Sequence, residues 1–192
     1  KIRKRSAKYN KTTRVMRLIV VLFLSICFVS CKTEVKIDSQ SQDITNETIT
    51  KNINNTLDSW HKAAAEANFN NYFSLMTNDG VFIGTDATEN WQNEAFKAFS
   101  KPYFDKGKAW SFTAVNRNIY IYDNQKIAWF DELLDTQMKL CRGSGILKLE
   151  NNKWKVAHYV LSITIPNDNV SEVVKMKAVF DSTYTKKLLF KD

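Results

Sequence analysis

The chain has little of what metal, redox and nucleotide chemistry require. It carries two histidines, His61 and His158, and three cysteines. No His, Cys and carboxylate cluster stands at ligand spacing, so no metal site is expected. The glycine patterns GxGxxG, GxxxxGK[ST] and GxSxG are absent, and with them the common signals for dinucleotides, phosphates and a nucleophile elbow. Arg142-Gly143-Ser144-Gly145 lies within a strand pattern, not between a strand and a helix, so it is not a phosphate loop. No cofactor is expected. Long apolar runs are lacking too. Leu18–Phe28 is eleven residues with one serine among apolar side chains. As a helix it would rise about 16 Å, roughly half a bilayer's hydrocarbon core.

That length suits the apolar region of a secretory signal, about 7–15 residues. Arg14 and Arg17 precede it, and Ser30 stands before Cys31. Phe28-Val29-Ser30-Cys31 resembles the bacterial lipobox, which implies lipidation of Cys31 and a membrane-anchored protein of the bacterial cell envelope. Phe28 stands where that pattern usually has leucine. An uncleaved anchor is the alternative. Met16 opens a compact signal by itself, so translation is expected to begin there. The expected organisation is a signal at 1–30, Cys31 with a polar tether to 52, a folded domain at 53–170, and an extension at 171–192 that reads as a docked helix.

The positive charge belongs to the first segment. The chain holds 28 Lys+Arg and 20 Asp+Glu, net +8. Residues 1–30 hold eight basic and no acidic side chains, so 28 − 8 = 20 basic face 20 acidic residues in the remainder. No basic excess is left to neutralise phosphates, which excludes nucleic acid as a partner. Cys27 falls in the signal and Cys31 at the lipid site. Cys141 alone remains for the domain, where no internal disulfide can form; it reads as a buried structural thiol.

Residues 32–51 hold four Val/Ile and no aromatics, too little apolar surface to order themselves. From Ile53 the texture changes. Ile53, Leu57, Trp60 and Ala64 fall on one helix face, with His61 expected to turn outward. A short helix fits Phe69–Met76, and Val81–Ile83 fits a strand. A third helix fits Glu89–Lys101, with Trp91, Ala95, Ala98 and Phe99 on its apolar face and Pro102 ending it. The period then becomes two, over 109–122, 126–135, 139–149 and 153–165. The short links demand antiparallel hairpins. Helices followed by a meander make an α+β domain with helices against one face of an antiparallel sheet.

Link length sets which side chains meet. A four-residue Asp135–Met138 link places Asp131 opposite Arg142, Trp129 opposite Ser144 and Glu132 opposite Cys141. Arg117 pairs with Asp131 or Glu132, depending on the preceding link. One face then carries Ile119, Trp129, Asp131, Arg142 and Ser144; the other carries Phe130, Glu132, Gly143, Gly145, Trp154, Val156, His158 and Ser162. The first set reads either as an Arg-held carboxylate in a cup or as a cross-strand ion pair. Gly143 and Gly145 bare the sheet for a ligand or for Trp60. His158 reads as a near-neutral acid/base or as a satisfied core histidine.

Several blocks in order carry a family resemblance. They are Trp60 with Ala63-Ala64, NYFSLMTNDGVFIGTDATENW (71–91), AFKAFSKPYFDKGKAW (95–110), Asn116-Arg117, IAWFDELLD (127–135), CRGSGIL (141–147) and WKVAHYVLSITIPN (154–167). Together they resemble a SnoaL-like domain of the nuclear transport factor 2-like superfamily. The resemblance implies a cone, a curved antiparallel sheet wrapped round three N-terminal helices, with a pocket inside and a homodimer formed through the sheet. Superfamily members include isomerases, cyclases, dehydratases and binding domains without activity. Asp131 and His158 are the catalytic candidates here. Trp60, Tyr72, Trp91, Arg117, Trp129, Glu132, Arg142 and Ser144 are the pocket candidates. Many relatives carry a second histidine where this chain has Val160, which weakens a two-histidine mechanism. The functions in view are binding of a small apolar or amphipathic molecule, acid/base catalysis of the isomerase, cyclase or dehydratase type, and a dimeric interaction module.

Overall fold

The computed structural model describes residues 38–190, with side chains from Thr45 onward. The expected signal, Cys31 and the start of the tether lie outside the described residues. The second of two compact units, residues 43–192, holds the elements that build the site.

Helix α1 runs Asp38–Ala65, so residues 38–50 are helical where the sequence predicts coil. The reason is Ile49, one turn before Ile53 on the same stripe, which packs against the core. Asn46 Oδ1 also accepts a hydrogen bond from Gln125 Nε2 at 3.3 Å. Ile53, Leu57, Trp60 and Ala64 are buried as their spacing predicts. Asn68 then caps α2, Phe69–Ser74, accepting from the Asn71 N–H. Strand β1 spans Met76–Ile83, and β2 is the short Asn90–Gln92.

Helix α3 is Asn93–Asp105, later than predicted, because Asn90–Gln92 pairs with β1 instead of opening the helix. Its buried face is Asn93, Phe96, Ser100 and Phe104; Ala95, Ala98 and Phe99 are exposed. Pro102 lies inside the helix without stopping it. Ala98, whose carbonyl Pro102 leaves unpaired, is exposed to water.

Strands β3 (Phe112–Ile121), β4 (Ile127–Thr136), β5 (Lys139–Glu150) and β6 (Lys153–Ile163) form the expected antiparallel meander. The sheet order is β2-β1-β6-β5-β4-β3. Strand β1 lies parallel to β6, so the curved sheet is mixed. The fold is the predicted α+β cone, with α1, α2 and α3 against its inner face. Aromatic rings fill the interior: Trp60 stacks on Tyr72 at 5.0 Å, and Phe82 stacks on Phe96 at 4.1 Å.

The registers differ from the predicted ones in an instructive way. The β4–β5 turn is Gln137-Met138, closed by Thr136 Oγ1, which accepts from the Met138 N–H and donates to the Lys139 carbonyl, both at 2.9 Å. Asp131 therefore faces Ser144, Glu132 faces Gly143 and Leu133 faces Arg142. No Asp131–Arg142 pair forms. The slip is two residues, so it moves partners without exchanging faces. Arg117 pairs with Glu132, the second of the two registers considered. Ile119 pairs with Phe130 and packs on the core, not beside Trp129 as predicted.

Helix α4, Val170–Leu189, follows a short 3-10 turn at Asn167–Asn169. The extension is helical, but none of its residues is buried, so it is not docked as expected. Among the described residues no helix is long and apolar enough to cross a membrane.

Candidate functional site

Two features occupy the cone. The first is a buried polar cluster on β4. Glu132 is fully buried, and its side chain points inward with those of Phe130 and Leu134. Its Oε1 accepts from His61 Nε2 at 2.8 Å and from the Tyr159 hydroxyl at 3.0 Å. Its Oε2 accepts from Arg117 Nε at 2.8 Å. Arg117 Nη1 donates on to Asp58 Oδ1 at 2.8 Å and Asn54 Oδ1 at 3.0 Å, at the rim of α1. Burial alone would push the Glu132 carboxyl up. The hydrogen bond and charge of His61, with the Arg117 guanidinium, outweigh it and hold the group below the ordinary carboxylate value. Burial, then the Glu132 charge, push the Tyr159 phenol well above its usual value, so it stays a neutral donor.

His61 is therefore buried, against the sequence expectation that it turns outward. The signal was present: His61 lies four residues after Leu57, on the same stripe. Gly143 makes the cluster fit. A Cβ built there would overlap the Tyr159 hydroxyl and lie 3.1 Å from Glu132 Cγ. The bare strand thus admits Tyr159, not Trp60. Gly145 similarly faces Phe130.

The second feature is a pocket of about 120 Å³ at the open end of the cone. Phe82 of β1 and Trp91 of β2 form one wall, and Phe96 and Phe99 of α3 the next. Trp110, Phe112 and Leu161 close the sheet side, with Gln137 and Met138 of the β4–β5 turn. Gly84, Thr85 and Glu89 of the β1–β2 loop complete the rim. Trp91 stacks on Phe99 at 4.3 Å and on Phe96 at 5.7 Å. The pocket and the polar cluster are back to back. Phe112 packs edge-on against His61 at 5.7 Å, and Phe82 lies 5.5 Å from Tyr159. None of Glu132, His61, Arg117 and Tyr159 lines the pocket.

Of the candidates read from the sequence, Glu132 and Arg117 meet in the buried cluster and Trp91 lines the pocket. Trp60 and Tyr72 are buried in the filled core. Trp129, Asp131, Arg142 and Ser144 lie on the outer face of the sheet. There Trp129 stacks on Tyr120 at 5.7 Å, and Asp131 Oδ1 accepts from Asn118 Nδ2 at 3.1 Å. His158 is also outward, because the register slips between Ile146 and Leu147 and the extra residue, Ala157, reverses the alternation of β6. Tyr159 and Leu161 take the inward places, while Ser162, predicted inward, is exposed. Glu89, Phe96, Trp110, Phe112 and Tyr159 enter the two features without having been singled out. Among the described residues no group of three His, Cys, Asp or Glu is placed to hold a metal ion.

Residues 53–166 match the family model described as SnoaL-like domain. Solved structures agree in fold. An NTF2-like protein from Pseudomonas putida superposes with TM-score 0.53 at 12% identity, covering 65% of this chain and 92% of that one. A protein described as a candidate dehydratase of the NTF2-like family, from Streptomyces avermitilis, gives 0.54 at 11% identity, covering 63% and 99%. A protein of the DUF3225 family from Pectobacterium atrosepticum gives 0.51 at 15% identity, covering 62% and 92%. The search of curated proteins finds no match.

Proposed function

This chain belongs to the SnoaL-like domain family, and we propose that it binds a small apolar or amphipathic molecule in the aromatic pocket without turning it over. The observation that carries this reading is the separation of pocket and acid/base groups. The pocket is walled by aromatic rings, while neither the buried carboxylate nor the histidine lines it, and both Glu132 oxygens are engaged by His61, Tyr159 and Arg117. Its size sets the ligand's size. Drug-sized sites are about 300–1,000 Å³, whereas a cavity of about 150 Å³ holds benzene. A single ring or a compact branched group fits 120 Å³.

Trp91 and Trp110 report on the site directly. Saturable quenching of tryptophan fluorescence by single-ring or compact aliphatic ligands is the expected result. It should vanish in a Met138→Trp variant that fills the pocket. No quenching across such a set would refute the reading.

An acid/base enzyme is the second reading, favoured by the His61–Glu132 pair inside the cone, 2.8 Å apart. It requires Phe82 or Phe112 to swing aside and admit substrate. The candidate dehydratase among the structural relatives is compatible with either reading.

The remaining proposals concern placement. Lipidation of Cys31 would anchor the domain at a membrane of the bacterial cell envelope. A second copy of the chain would cover the outer sheet face, where Tyr120, Tyr122, Ile127, Trp129 and Ile146 are exposed together. A Trp129→Glu variant should then sediment as a monomer; an unchanged sedimentation coefficient would remove the homodimer reading.

A further inference from the structure

The pocket is apolar, yet it is not neutral. Among the described residues Glu89 is the only charged one that lines it, and no Lys, Arg or His does. Lys177 of α4 borders the adjoining groove that Glu89 also lines, and it pairs with Asp181 at 3.2 Å. Lys97 of α3 pairs with Glu94 at 2.7 Å and lies 5.9 Å from the Phe73 ring centre. Lys101 pairs with Asp105 and lies over Phe69 at 5.5 Å. Glu89 itself is in no ion pair among the described residues. Its Oε2 accepts only the Asp86 N–H, at 3.2 Å.

The loop is built to keep that carboxylate in place. The Gly84 N–H donates to the Glu89 carbonyl and the Glu89 N–H to the Asp86 carbonyl, both at 3.0 Å. Asp86 Oδ1 accepts from the Thr88 N–H at 2.8 Å and from its hydroxyl at 2.6 Å. A Cβ built on Gly84 would overlap Glu89 Oε2. The glycine leaves the room in which the carboxylate folds back against the pocket.

An uncompensated carboxylate beside Phe82, Trp91, Phe96, Phe99, Trp110 and Phe112 is a combination with a chemical preference. The negative faces of aromatic rings attract cations, and cages of such rings recognise quaternary ammonium groups. A carboxylic acid ligand would instead meet the Glu89 charge and be repelled. We propose that the ligand of this pocket is a small organic ammonium ion, of the size of a trimethylammonium group, held by the aromatic wall with Glu89 as its counter-ion. This rests on the binding-pocket reading above and names the ligand class for it.

The test compares choline with its uncharged isostere 3,3-dimethylbutan-1-ol, by tryptophan fluorescence titration of the full chain. Choline should bind at least about tenfold more tightly than the alcohol. Glu89→Gln should reduce that preference severalfold, leaving only what the aromatic wall supplies. Gly84→Ala keeps the charge but displaces the carboxylate, and should also lower the preference. If the alcohol binds as well as choline, or if Glu89→Gln leaves the preference intact, the ammonium inference fails and the apolar pocket stands. If neither compound gives a saturable signal while single-ring ligands do, the inference again fails alone. Silence from every ligand overturns the pocket reading with it.

Discussion

Replacing Glu132 by Gln tests whether the buried cluster holds the cone together. Gln matches Glu in shape, and its carbonyl can still accept from His61 and Tyr159. Its amide nitrogen then faces Arg117 Nε, donor against donor, across what was a 2.8 Å ion pair. The Arg117 side chain is 7% exposed, so it loses its one buried counter-ion and keeps only Asp58 and Asn54 at the rim. Breaking a buried pair by removing one partner costs about 3–5 kcal/mol. The surviving rim contacts place the expectation at the lower end, about 3 kcal/mol. Urea unfolding at neutral pH, followed by tryptophan fluorescence, measures it. Tyr159→Phe removes one of the three bonds and should cost about 1 kcal/mol. A Glu132→Gln loss under about 1 kcal/mol would mean that desolvation cancels the pairing, and would refute a stabilising role.

Acid gives an independent check with a definite sign. The folded Glu132 carboxyl lies below its ordinary value. Its contribution is therefore complete above the unfolded pKa, about 4.3, and is lost as pH falls through the folded value. The stability gap between wild type and Glu132→Gln should narrow as pH falls below about 4.3. A gap that widens on acidification would contradict the assigned ionisation.

Other substitutions probe the faces and the strand geometry. Gly143→Ala forces the Tyr159 hydroxyl away from Glu132 and should lower stability by about 1–3 kcal/mol in the same unfolding assay; a neutral result would mean that the strand absorbs a methyl group there. Trp154 is 6% exposed and Trp129 46%, so Trp154→Ala should cost about 3–5 kcal/mol and Trp129→Ala about 1 kcal/mol or less in the monomer. Equal losses would mean that the two tryptophans share an environment. Cys31→Ala should move the protein from the membrane to the soluble fraction on fractionation, and unchanged partition would remove the lipobox reading.

The polar cluster shows where the sequence was legible. Counting hairpin residues narrowed the partner of Arg117 to Asp131 or Glu132, since alternation along a strand and a short link leave few registers, and the fold selects Glu132. His61 was readable in principle from Leu57, four residues earlier, but a polar residue on an apolar stripe looks like an edge unless its partner is known. That partner is Glu132, 71 residues away in sequence. Asp131 was read as chemistry because the expected register set it beside arginine, and His158 because it is a near-neutral acid/base on a strand. Asp131 faces outward simply because its neighbours Phe130 and Glu132 face inward. His158 is displaced by the extra residue at Ala157, which strand periodicity alone does not announce.

The sequence by itself determined the elements that depend on local pattern. These are the apolar stripe of α1, the four long strands, the short links that force antiparallel pairing, and the ordered blocks that place the chain in its family. Tertiary structure decided the rest. It set the parallel seam of β1 against β6, the reversal at Ala157, and the union of His61, Arg117, Glu132 and Tyr159. It also assembled a pocket from the β1–β2 loop, α3, the β4–β5 turn and four strands. Periodicity is a property of neighbours along the chain, whereas a buried carboxylate and an aromatic pocket are defined by side chains brought together from distant elements. A single extra residue in one strand is enough to change which side chains those are.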